Sequence, residues 1–102
     1  MGVRLARADG PAPGEAELEG WFGRQGLSPR TWGNAAHDRY GAHRHDYHKI
    51  LYCLSGSIVF VTHDGEVELH AGDRLDVEPG TEHSAVVGPE GVRCIEAAAP
   101  PQ

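Results

Sequence analysis

Seven histidines in a chain of 102 residues are the first feature with chemical consequences. Three fall within six positions, in Gly41-Ala42-His43-Arg44-His45-Asp46-Tyr47-His48. Histidines two apart on a strand share a face, with Cα atoms about 6.5–7 Å apart. Their imidazoles can then lean onto one ion at about 2.0–2.2 Å. The HxH pair gains weight if another donor arrives from a distant segment. His83 is such a donor, following the Pro79-Gly80 turn at the head of Ser84-Ala85-Val86-Val87. His43, His45 and His83 are therefore candidate ligands of a metal ion. His48 is a candidate fourth nitrogen. Parity along a continuous strand sets it opposite His45, whereas a turn at Asp46-Tyr47 would break that parity. His37, His63 and His70 lie in loop, hairpin-turn and strand-end contexts and read as surface residues.

The elements that must position these side chains are mostly strands. Residues 8–14 (ADGPAPG) are small, polar and proline-rich and read as a loose arm. Leu18, Trp21 and Phe22 follow at helical spacing, with Glu15, Glu17 and Glu19 near the positive helix end. This predicts a short helix ending near Gly26, docked by its aromatic stripe. From Thr31 onward the pattern is β. Residues 57–69 (SIVFVTHDGEVEL) read as a hairpin with Asp64-Gly65 as its tight turn. Ala71-Gly72-Asp73, Pro79-Gly80 and Gly88-Pro89-Glu90-Gly91 punctuate the strands that follow, and Val92–Glu96 is the last. No crossover helix separates them, so the sheets should be antiparallel, in a sandwich or barrel. The expected division is an arm and short helix over residues 1–30, a barrel over 31–97 and a frayed tail over 98–102.

Composition narrows the function. The length suits one domain. A net charge of −6 without a basic cluster argues against a nucleic-acid partner. No apolar run approaches the roughly 18 residues that span a bilayer, so no membrane role is expected. The start lacks the apolar stretch of a signal peptide, and the expected location is the cytoplasm. Cys53 and Cys94 each sit in apolar strand sequence and read as small core residues. A redox role would need an activating cationic neighbour that the sequence does not show. The nine basic residues are eight arginines and one lysine, Lys49.

At these residues the chain resembles a known family. Residues 41–56, GAHRHDYHKILYCLSG, resemble the first cupin motif, G-x5-HxH-x3/4-E-x6-G. Residues 72–83, GDRLDVEPGTEH, resemble the second, G-x5-P-x-G-x2-H-x3-N. Position by position, His43, His45 and His83 fall on the three family histidines. The family glutamate falls on Lys49 and the asparagine on Val87. Pro79 sits one place late, and only Ala42 separates Gly41 from His43.

The resemblance implies an all-β, antiparallel cupin-type β-barrel or jelly roll, here preceded by a short N-terminal helix. It implies a divalent transition metal (Fe, Mn, Ni or Zn) on the three histidines, a small-molecule ligand and a homodimer built on strand edges. A protonated Lys49 has no lone pair for a metal. It reads instead as a candidate substrate-pocket residue that favours anions, or as an outward side chain paired with an acid. Tyr47 and Tyr52 flank it, with Tyr47 the candidate for the pocket. Three functional classes remain open. They are an oxygen-dependent, dioxygenase-like enzyme, a non-catalytic module for a small anionic or sugar-like ligand, and a structural or regulatory domain.

Overall fold

The computed structural model describes residues 2–100. Seven strands and one helix follow one another as β1 (Val3–Ala6), α1 (Glu15–Arg24), β2 (Arg30–Asn34), β3 (Arg39–His43), β4 (His48–Thr62), β5 (Gly65–His70), β6 (Arg74–Val77) and β7 (His83–Ala99). Every strand pairing is antiparallel. The alternation and turn signals predict antiparallel sheets, and the jelly roll is the form that the motif resemblance implies.

β4 and β7 are long enough to serve two sheets. Their paired halves His48–Cys53 and Cys94–Ala99 are flanked by β6 with β1 on one side and by β2 on the other. Their other halves, Ile58–Thr62 and His83–Val87, are flanked by β5 and β3. Register shifts at Cys53/Ser55 and Gly56/Ile58 mark the crease where the sheets turn toward each other. Backbones approach so closely there that a Cβ on Gly56, which has φ +74°, would stand 2.0 Å from the Gly91 carbonyl oxygen. Only glycine satisfies both the left-handed backbone and the missing volume.

Strand alternation sorts the side chains to two faces. Leu51, Cys53, Ile58, Phe60, Leu69, Leu75, Val77, Ala85, Val87, Val92 and Cys94 fill the interior. Ile50, Ile95, Ala97 and Ala99 point outward and are covered by Leu18 and Phe22 of α1. The helix thus buries the stripe the sequence predicts. Arg93 on β7 ties it down by donating to the Glu15 carboxylate at 2.7 Å.

Three details differ from the expected elements. The residues at 3–6 form β1 on the edge of β6, placing Val3 and Leu5 against the interior. The arm beyond it is anchored because the Asp73 carboxylate accepts from the Ala8 amide, the His70 amide and Arg7. Burial alone would raise the Asp73 carboxyl, but these donors hold it below its usual range. The hairpin loop is His63-Asp64, one residue earlier than expected, since Thr62 pairs with Gly65. The expected frayed tail is corrected at its start. β7 continues through Ala98 and Ala99, which pair with Lys49 and His48, while residues 101–102 lie outside the described residues. No helix of the described residues is long and apolar enough to cross a membrane.

Phe22 is fully buried and makes edge-on contacts with Trp21 and Tyr52 at 5.0 and 6.1 Å between ring centroids. Phe22→Ala is expected to cost about 3–5 kcal/mol, read as a lowered urea midpoint.

Candidate metal centre

β3 and β7 deliver two of the three predicted histidines as a directly opposed pair, His43 against His83. His45 comes from the turn after β3, and its carbonyl accepts from the Gly80 amide at 2.7 Å. The Pro79-Gly80 turn therefore holds the backbone of one ligand candidate just before it feeds another, His83, into β7. Gly80 has φ +78°, a conformation that favours glycine.

The rings converge. Centroids lie 4.3 Å apart for His43–His83, 4.9 Å for His43–His45 and 5.3 Å for His45–His83. One nitrogen from each lies within 4.8 Å of the others. The main chain fixes two tautomers, because a carbonyl can only accept. His43 Nδ1–H donates to the Gly41 carbonyl at 2.8 Å, and His83 Nδ1–H to the Thr81 carbonyl at 2.9 Å. Each leaves its Nε2 lone pair free. His45 Nε2 is buried without a hydrogen-bond partner, and an orphaned buried nitrogen carries a cost that a ligand would remove.

Burial holds His45 below the ordinary imidazole range, with Lys49 and the other two histidines adding to the effect. Burial also lowers His83, with His43 and Lys49 adding to the shift and the Thr81 carbonyl opposing it. Neutral imidazole is the form that ligates. Donors sharing one ion at about 2.1 Å stand roughly 3–3.5 Å apart, so a small inward lean of the rings suffices. The three residues fit a divalent ion bound by imidazole alone.

Around this cluster lies a cavity of about 280 Å³ lined by Lys49, Leu51, Trp32, Tyr40, Phe60 and Glu96 among others. Lys49 points inward from β4, with its Nζ 3.4 Å from Glu96 Oε2. Glu96 is 4% exposed, and its Oε1 accepts from Trp32 Nε1–H at 2.7 Å. Arg30, at the rim, lies 3.5 Å from Oε2. Glu96 is the site residue that sequence reasoning missed. Its inward direction follows from its register opposite Leu51, which no motif announces. Tyr47 packs on His45 at 4.9 Å between centroids, as a backing for that ring.

His48 does not join the cluster. It points to the outer face, where its Nε2–H donates to Asp76 Oδ2 at 2.7 Å. There it lines a separate cleft of about 670 Å³ with Trp21, Ile50 and Arg74. The turn at Asp46-Tyr47 exists, yet β4 begins at His48 and its alternation sends Lys49 inward and His48 outward. His37, His63 and His70 are all exposed.

A cupin-domain family profile matches residues 34–97, more than half of the chain. The chain belongs to the cupin family.

Among solved structures, a DUF861-family protein from Thermotoga maritima is similar over 95% of this chain and 99% of its own, at 19% identity and TM-score 0.67. An RmlC-like cupin from Shewanella frigidimarina is similar over 74% of this chain and 68% of its own, at 24% identity and TM-score 0.64. The polyketide cyclase RemF from Streptomyces resistomycificus is similar over 71% of this chain, which spans about half of that protein, at 23% identity and TM-score 0.64. At such identities the likeness shows the cupin fold alone. No curated protein matches this cupin.

Zinc added to chelator-stripped, untagged protein is expected to raise the melting temperature. His83→Ala should abolish the response and His48→Ala should retain it. The folded-state pKa values of His45 and His83 lie below their unfolded values, so the unfolded chain binds more protons on acidification. Their contribution is whole above about pH 6.5 and is lost as pH falls from there toward the folded values. Zinc affinity should weaken over the same range, as melts from about pH 8 to pH 5 with and without zinc would show.

Proposed function

We propose that this cupin holds a divalent transition ion (Fe, Mn, Ni or Zn) on His43, His45 and His83 and takes a small anionic, metal-chelating ligand into the adjoining cavity. The observation that carries this reading is His45 Nε2, buried and unpartnered beside the donors of His43 and His83. Bound there, the ion would supply Lewis acidity or, as iron, a redox centre for oxygen-dependent chemistry.

Three neutral imidazoles leave the ion's two positive charges uncancelled. Glu96 offsets Lys49, so the pocket keeps a positive balance once the ion is bound. A contact of 3.4 Å is longer than a tight ammonium–carboxylate hydrogen bond. Lys49 therefore keeps donors for a ligand, while Trp32 holds Glu96 in place. Trp32, Tyr40 and Phe60 supply aromatic surface for the ligand's carbon skeleton.

A non-catalytic module for a small anionic or sugar-like ligand rests on the same cavity. Oxygen uptake by the Fe(II)-loaded protein with a 1,3-dicarbonyl would favour the enzyme, and silence across a broad substrate panel the module. The open edges of β1 and β2 support a homodimer.

Lys49→Met keeps the stem and removes the charge. It is expected to weaken oxalate binding to the zinc-loaded protein by roughly 10–100-fold, measured by calorimetry, with zinc affinity preserved. Unchanged oxalate affinity would sink the role of Lys49. Lys49→Glu should strengthen zinc binding and weaken oxalate binding.

A further inference from the structure

Cys53 on β4 and Cys94 on β7 oppose each other directly across the strand pair that runs through both sheets. Both are buried in the interior cluster, at 1% and 0% exposure. The main chain determines what kind of opposition this is. The Cys53 amide donates to the Asp73 carbonyl at 3.0 Å, and the Cys53 carbonyl accepts from the Gly72 amide at 2.8 Å. Both of its backbone groups therefore point away from β7, which makes Cys53 and Cys94 a non-hydrogen-bonded antiparallel pair. Cα atoms in such pairs stand about 4.5 Å apart, with side chains close. A disulfide needs Cα atoms about 4.4–6.8 Å apart. The separation typical of such a pair falls at the short end of that range.

The Cys53 thiol donates to the Ser55 and Gly56 carbonyls at 3.5 and 3.7 Å, at the crease itself.

We propose that Cys53 and Cys94 are a modification site, closing to an intramolecular disulfide under a peroxide oxidant. One thiol sulfur of the pair attacks the peroxide O–O bond, giving a sulfenic acid and one water. The facing sulfur then attacks the sulfenic sulfur, and the S–O bond breaks as the hydroxyl leaves with the second thiol's proton as a second water. Each sulfur loses one electron, and the peroxide's two oxygens gain the pair. The bond would clamp β4 to β7 at the crease. Leu51 and Glu96, two residues from the respective cysteines, form the next opposed inward pair, at the cavity wall. The clamp would therefore stiffen the strand segments that carry Lys49 and Glu96.

The test treats chelator-stripped protein with hydrogen peroxide. The expected product is a monomer lighter by two hydrogens, with a Cys53–Cys94 linked peptide in a non-reducing digest. Its melting temperature should rise by on the order of 10 °C and return with dithiothreitol. Neither Cys53→Ala nor Cys94→Ala should show these changes. A second preparation removes access as a variable. The chain is oxidised in concentrated guanidinium, where both thiols are exposed, and then refolded, and it should melt at the same raised temperature. A cross-linked chain melting at or below the dithiol form overturns the proposal. So does native protein that keeps both hydrogens, gains only oxygen, or cross-links between chains.

Discussion

The pairing of β4 with β7 is the constraint on which the rest of the molecule depends. It runs from His48↔Ala99 at one end to Thr62↔His83 at the other, with a crease between. Register on a strand decides the face of every side chain, and a slip of one residue would exchange inside for outside. In the present register Lys49, Leu51 and Glu96 look inward, while His48, Ile50 and Ala97 look outward. The pocket and the helix-covered face are thus two outcomes of one set of main-chain hydrogen bonds. Gly56 and Gly91 let that ladder bend where two flat halves would not enclose a cavity.

Electrostatics then divides the two faces. On the inner side, Glu96 is buried but has Trp32, Lys49 and Arg30 around it, so its charge is tolerated in a low-dielectric wall. On the outer side, Asp76 is served by Arg74 at 2.6 and 3.0 Å and by His48 at 2.7 Å. Burial pushes the Asp76 carboxyl up, but Arg74 and His48 outweigh it and hold the group below its usual range. Glu96 on the inner face and Asp76 on the outer face each have their own donors. Consecutive residues of β4, His48 and Lys49, reach one each.

What could be read from sequence follows the same physics. The triad was legible because HxH spacing and the Pro79-Gly80 turn are local signals, and two cupin motifs in order joined them. Lys49 was legible as a position of interest because it stands where the motif has a glutamate, but its inward direction was open until the start of β4 set the parity. The helix was legible from Leu18, Trp21 and Phe22. Glu96 was not, because a glutamate in a terminal strand reads as solvated until the strand opposite is known. The facing of Cys53 and Cys94 was hidden for the same reason, since their register joins segments 41 residues apart. β1 escaped because four residues carry too little alternation, and its stability comes from β6. His48 is ambiguous in the sequence because a turn can reset strand parity, and only the start of β4 decides where counting begins.

The strand order β1-β6-β4-β7-β2 places β7, the most C-terminal of the described strands, inside the sheet between β4 and β2. β2 and β3 have no other described partner than β7. A ribosome releasing this chain therefore exposes two strands with unpaired edges until residues 83–99 emerge. Before that, the β4–β5 hairpin is the pairing available between neighbours in sequence. Assembly must wait for long-range closure, which is the slow regime of folding. The interval before β7 inserts is when the nascent chain is most open to pairing with a neighbour's strands.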